Sequence, residues 1–149
     1  MEIKIKKIHK DAIIPTRGSA YAAGYDLYAC MEDPQCVTDI WIRPHQTVKI
    51  GTGIAMEIPE GYFGAIFARS GLATKQGLRP ANCVGVVDAD YRGEIIVALH
   101  NDTNSVQCVV LKDRIGQIVI MPYLQAEYTV VEELGDTERG EGGFGSTGK

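Results

Sequence analysis

Apolar and polar positions along this chain repeat in short β-branched runs, many with the two-residue period of a strand that has one face in a core. The pattern predicts strands over residues 2–8, 40–44, 47–59, 62–68, 94–101, 106–111, 114–122 and 126–134. PHQ, PEG, ADYRG and LKD fall between these runs and read as turns. No window sustains the helical period over about 12 residues. SGLATKQG (70–77) is read as one or two helical turns. Many short strands punctuated by turns predict an all-β sandwich, jelly roll or barrel.

Composition narrows the class. At 149 residues the chain reads as one domain, without an internal repeat and without a linker before its Gly-rich end. A formal charge of -4 and a pI near 5.3 argue against general binding to a nucleic-acid backbone. No apolar run approaches the roughly 18 residues of a membrane span. The start, MEIKIKKIHK, lacks the apolar stretch of a signal peptide, so a cytoplasmic location is expected. Cysteines at 30, 36, 83 and 108 form no C-x-x-C pair, and histidines at 9, 45 and 100 are scattered. Free thiols are expected rather than a zinc site.

Five segments carry candidate chemistry. GFGSTGK, within the final RGEGGFGSTGK, fits the spacing of a phosphate-binding loop, but the sequence gives it no following helix, so that reading is set aside. Its glycines permit close backbone approach to phosphate, Arg139 offers a guanidinium and Phe144 a flat face. A disordered end is the competing reading. In FARSGLATKQG (67–77), Arg69 and Ser70 leave a strand beside glycine, as an anion site or an ordinary strand end would have them. GVVDADYRG (85–93) followed by EIIVAL reads as a hairpin. Asp88 directly follows two valines, where a carboxylate is held rigidly enough to serve as a base for water, whereas Asp90 reads as a turn residue. AAGYDLYA (22–29) places Asp26 among small and aromatic residues, and RIGQIVI places Gln117 inside an apolar strand. Structural hydrogen bonding is the alternative for both.

Taken together, AAGYDLYA, ARSGLA, GVVDADYRG, RIGQI and RGEGGFGSTG resemble the trimeric dUTP diphosphatases (dUTPases) in content, order and spacing, from residue 22 to 148. Gly116 stands where that family's fourth motif usually carries alanine, a small-for-small change. The resemblance implies a jelly-roll-like β-barrel over residues 1–138 and a flexible arm over 139–149 that closes on the active site. It implies a homotrimer whose sites draw motifs from different chains. The implied reaction is hydrolysis of dUTP to dUMP and pyrophosphate, which limits uracil in DNA and supplies dUMP for thymidylate synthesis.

Residue by residue, the resemblance implies that Asp88 deprotonates the attacking water and Gln117 helps to hold it. Mg²⁺ would bridge the triphosphate oxygens, with Asp26 reaching it through water. Arg69, Ser70, Gly71, Arg139, Gly145 and Ser146 would contact phosphate, and Phe144 would stack on uracil. Asn82 with the backbone around Val86, Val87 and Ile96 would read the uracil edge, and Tyr91 would pack beneath deoxyribose. Two alternatives stand beside this reading: a dCTP deaminase-related enzyme, and a non-catalytic nucleotide-binding regulatory trimer. The first would need a catalytic glutamate near the hairpin, which carries GVVDADYRG instead, and complete motifs argue against the second.

Overall fold

The computed structural model describes residues 1–30 and 39–143. In chain order its elements are β1 (Lys4–Lys7), β2 (Thr16–Arg17), β3 (Tyr25–Tyr28), β4 (Asp39–Ile42), β5 (Thr47–Gly51) and β6 (Ile54–Glu57). They continue with β7 (Tyr62–Phe67), α1 (Ser70–Gln76), β8 (Leu78–Pro80), β9 (Gly85–Val87), β10 (Ile96–Asn101), β11 (Gln107–Val110) and β12 (Arg114–Pro122). The architecture is all-β and jelly-roll-like. Its strands form one five-stranded sheet, β2-β3-β12-β7-β9, one three-stranded sheet, β5-β10-β8, and the ribbons β1-β6 and β11-β4.

One core fills the space between these layers. Leu27, Ile42, Ile50, Ile54, Leu78, Ile95, Leu99 and Ile115 are fully buried, and each contributes about 1.5–3 kcal/mol relative to exposure. β12 is the central strand of the large sheet, antiparallel to β3 and β7. A register shift between Arg114 and Gly116 bends it, so Ile115 and Gly116 are buried in succession. Asn101, fully buried at the end of β10, donates to the carbonyls of Ile42 and Ser105 and accepts from the amide and hydroxyl of Thr103. Its polar atoms are thereby satisfied where no water is needed.

Several sequence expectations change in the fold. The 47–59 run breaks into β5 and β6, because Gly53 adopts a left-handed φ of 67° where a Cβ would sit 2.7 Å from Cys30 Sγ. The 85–101 stretch is not a ladder-paired hairpin: β9 pairs with β7, while β10 pairs with β5 and β8. β3 was masked by its environment, since Asp26 and Leu27 are both buried and the usual alternation vanishes. β2 and β8 are too short to show a period. No strand forms over 126–134. That segment leaves the body with Tyr128 95%, Val130 97% and Leu134 87% exposed, and a strand needs a partner that its own chain does not offer there.

Candidate active site

The register of the large sheet assembles the first half of the site. Asp26 on β3 stands opposite Gln117 on β12, which in turn stands opposite Phe67 at the end of β7. Directly paired residues project to the same face, so the row places a carboxylate beside a carboxamide. Asp26 accepts from Arg69 Nε at 2.7 Å through one oxygen and from Arg114 Nη1 at 3.3 Å through the other. The Asp26 side chain is 11% exposed, and two guanidiniums compensate its burial. Gln117 donates from Nε2 to the carbonyl of Ala68 at 2.9 Å. Gly24 makes room for that carboxamide, since a Cβ there would collide with Gln117 Oε1.

Arg69 closes β7's exit in extended conformation, and α1 follows immediately with Ser70 and Gly71 exposed. Beside them lies an open cleft of about 300 Å³ lined by Arg69, Gly71, Lys75, Asp113 and Arg114. Three cations against the carboxylates of Asp113 and the adjoining Asp26 leave an excess of positive charge that suits an anionic ligand. The sequence reading missed Lys75 and Arg114 as cleft residues. Lys75 follows Arg69 by nearly two helical turns, and Arg114 opens the RIGQI segment, but only the fold turns both toward Arg69.

The second half is built on the sheet's edge. β9 has β7 as its hydrogen-bonded neighbour, so its outer edge offers main-chain donors and acceptors for recognition. Val86 and Ile96 are exposed, whereas Val87 is buried and offers only its backbone. Asn82 lies in a tight turn where Cys83 has a φ of 59°, its amide donates to Pro80, and Val84 N donates to Asn82 O. Asp88 begins the next turn, its carbonyl accepting from Tyr91 N at 3.1 Å. Asp88 and Tyr91 are both exposed.

One chain does not bring these halves together. Val87 stands opposite Gly64, so Asp88 continues toward Phe63, four positions from Phe67, the partner of Gln117. That is about 13 Å along the strands and about 10 Å across two strand spacings. Arg139 bonds locally, its Nε donating to the carbonyl of Gly142 at 2.8 Å. Phe144, Gly145 and Ser146 lie outside the described residues.

Among the described residues, no group of three or more His, Cys, Asp and Glu side chains is arranged to hold a metal. Both oxygens of Asp26 already face cations. This donor set fits a divalent ion that arrives on the ligand's phosphates and meets the protein through water.

An all-β scaffold with a basic cleft, a carboxylate–carboxamide row and an edge strand free for recognition defines a protein that handles a small anionic ligand with a readable polar edge. Comparison with known proteins takes this further. The sequence profile of the dUTPase family matches residues 10–148. The chain is 48% identical over 149 residues to the deoxyuridine 5'-triphosphate nucleotidohydrolase of Nautilia profundicola, covering 100% of both. It is 44% identical to that of a Hydrogenobaculum species, covering 99% of each. Its fold matches a Staphylococcus bacteriophage 80alpha dUTPase variant solved with dUpNHpp, with a TM-score of 0.87, 28% identity and 99% of each chain covered. The chain belongs to the dUTPase family.

Proposed function

We propose that this protein hydrolyses dUTP to dUMP and pyrophosphate, and that it does so as a homotrimer. Family membership over 10–148 supports the reaction, and the observation that carries the site is the Asp26–Gln117 row with Arg69 clamped onto it. The relatives' names specify deoxyuridine triphosphate, and the phage protein was solved with dUpNHpp.

In this reading Asp88 takes a proton from a water that attacks the α-phosphorus. A P–O bond forms from the water oxygen to the α-phosphorus, the bond from the α-phosphorus to the oxygen that bridges it to the β-phosphorus breaks, and pyrophosphate leaves with that oxygen. Gln117 orients the water through its carboxamide. Arg69, with the exposed Ser70 and Gly71, holds the phosphates in the cleft. Asp26 would hold a water bound to a Mg²⁺ that comes with the triphosphate, and the ion would supply charge neutralisation there. Asn82 and the backbone at Val86, Val87 and Ile96 read the uracil edge, and a mismatched base leaves polar groups unpaired there. Tyr91 forms the floor beneath the sugar. Residues 139–149 close over the nucleotide, with Arg139, Gly145 and Ser146 on phosphate and Phe144 on the base. Removal of dUTP limits uracil in DNA, the dUMP formed feeds thymidylate synthesis, and the expected site of action is the cytoplasm. No described helix is long and apolar enough to cross a membrane.

Two observations support the trimer. Asp88 and Gln117 stand far apart within one chain, so a joint site needs Asp88 from one copy and Gln117 from another. Leu124, Tyr128, Val130 and Leu134 are nearly fully exposed, an apolar series that a second copy would cover.

The test is pyrophosphate release with each nucleoside triphosphate in turn, with and without Mg²⁺, alongside sedimentation. Mg²⁺-dependent release from dUTP by a species three times the chain's mass is expected. Ammonia release from dCTP would favour a deaminase, and tight binding without turnover a regulatory protein.

A further inference from the structure

The loop between β9 and β10 is fastened to the body of the fold by Glu94. In a strand-like alternation Glu94 would face solvent, because its neighbour Ile95 is buried. Instead, its carboxylate turns to the corner between β5 and β6, where the buried amide of Gly53 donates to Oε1 at 2.7 Å. Two glycines shape this cradle. A Cβ on Gly51 would collide with Glu94 Oε1, and one on Gly53 would strike Cys30 Sγ. On the other side of the same residue, the carbonyl of Glu94 accepts from the Tyr91 hydroxyl at 2.9 Å. The Tyr91 ring edge lies directly on Gly93, where a Cβ would sit 2.5 Å from the hydroxyl oxygen and 2.6 Å from Cζ. Ile95 continues the attachment, its amide donating to Ile54 O and its carbonyl accepting from Thr52 Oγ1 at 2.6 Å.

We propose that Glu94 is a positioning residue for sugar selectivity: its carboxylate fixes the loop that holds the Tyr91 ring at one height. This rests on the dUTP reading and on the placement of Tyr91 beneath the sugar. A 2′-hydroxyl is rejected by a floor that cannot yield. Tyr91 is 44% exposed, and its hydroxyl is tied to the Glu94 carbonyl. Beside the bonds of Ile95 to Ile54 and Thr52, the ring is tied through Tyr91 Oη to Glu94 O and then through Glu94 Oε1 to Gly53 N. A carboxylate or carboxamide at 94 completes that chain, and a methyl does not.

The experiment compares kcat/KM for dUTP and UTP, with thermal melting in parallel, across Glu94→Ala, Glu94→Gln and Tyr91→Phe. Misplacement by an ångström costs up to about a hundredfold at a fitted site, so Glu94→Ala is expected to lower the dUTP/UTP ratio by about tenfold or more. Glu94→Gln keeps an acceptor oxygen for Gly53 N and restores most of the ratio. Tyr91→Phe keeps the ring, loses the tether and repeats the loss, and combining it with Glu94→Ala adds little. A wild-type ratio in Glu94→Ala or in Tyr91→Phe overturns the proposal, as does a Glu94→Gln variant no better than alanine. If Glu94→Ala does not fold, the Tyr91→Phe ratio decides alone. A wild-type protein inert toward dUTP would overturn the underlying reading instead. One that turns over UTP as well as dUTP would overturn the Tyr91 assignment.

Discussion

Asp26 and Arg69 lie 43 positions apart in the chain, yet Arg69 Nε rests 2.7 Å from Asp26 Oδ1. The bond joins the β3 row to the exit of β7, and Arg114 completes it from the start of β12. The carboxylate therefore aims the guanidinium that faces the cleft. Asp26→Asn keeps two polar atoms but removes the charge between two arginines. Turnover should fall at least tenfold, and stability by about 1 kcal/mol, because Arg69 and Arg114 both keep contact with water. Steady-state kinetics and urea melts measure the two effects. Unchanged turnover would show that the clamp is structural only.

Asp88 and Asp90 separate by environment. Asp88 follows the buried Val87 at the end of β9, while Asp90 lies further out in the turn. Asp88→Asn should retain nucleotide binding and lose at least about a hundredfold in kcat. Asp90→Asn should lose far less. Equal losses would transfer the base assignment away from Asp88.

Gly24 makes a packing prediction. A methyl there meets Gln117 Oε1 and also stands 3.3 Å from Gln117 Cβ, so rotation of the carboxamide alone does not relieve it. Gly24→Ala should lower kcat by tenfold or more while the melting curve moves little. In that background Gln117→Ala should cost nothing further. Full activity of Gly24→Ala would show that Gln117's orientation is not needed.

The chain's last residues supply a fourth test. Ordering a Gly-rich segment costs roughly 1–2 kcal/mol per residue, which a bound nucleotide must offset. Ending the chain after Glu138 should leave a thermally stable assembly with most hydrolysis lost. Phe144→Trp in the full chain should change its fluorescence on adding dUpNHpp with Mg²⁺. Truncated protein working at the full rate would dismiss the closing arm.

Cys108 offers a pH-dependent probe beside the cleft, through its neighbour Asp113. Burial, then the charges of Asp39 and Asp113, pushes its thiol above the ordinary range. A raised folded value means the protonated form is favoured by folding. Its contribution is complete below the ordinary thiol range and fades as pH rises through the raised value. Alkylation followed by peptide mass spectrometry should show Cys108 reacting slowly near neutral pH. Asp113→Asn, which keeps an acceptor for Val110 N, should speed it. An unchanged rate would mean that burial alone sets the thiol.

Much of the fold is legible in local pattern because burial on one face imposes a two-residue period. The run at 114–122 coincides with β12, and the one or two helical turns expected at 70–77 are α1. Residue types at Asp26, Arg69, Asp88, Tyr91 and Gln117, in their order, suffice for the family, since each motif carries its own chemistry. Pairing is another matter. Nothing local says that β9 joins β7 rather than β10, or that Asp26, Gln117 and Phe67 share one row. Register depends on which distant strand fills an edge. The same holds for Lys75 and Arg114 in the cleft, and for Glu94 bound to a glycine 41 positions away. The sequence by itself determined strand-forming segments and chemical groups, which are properties of neighbours along the chain. Tertiary structure alone decided their partners, because hydrogen bonds and charges act through space. The 126–134 segment marks the limit within one chain, where an alternating pattern forms no strand and its apolar side chains stay exposed.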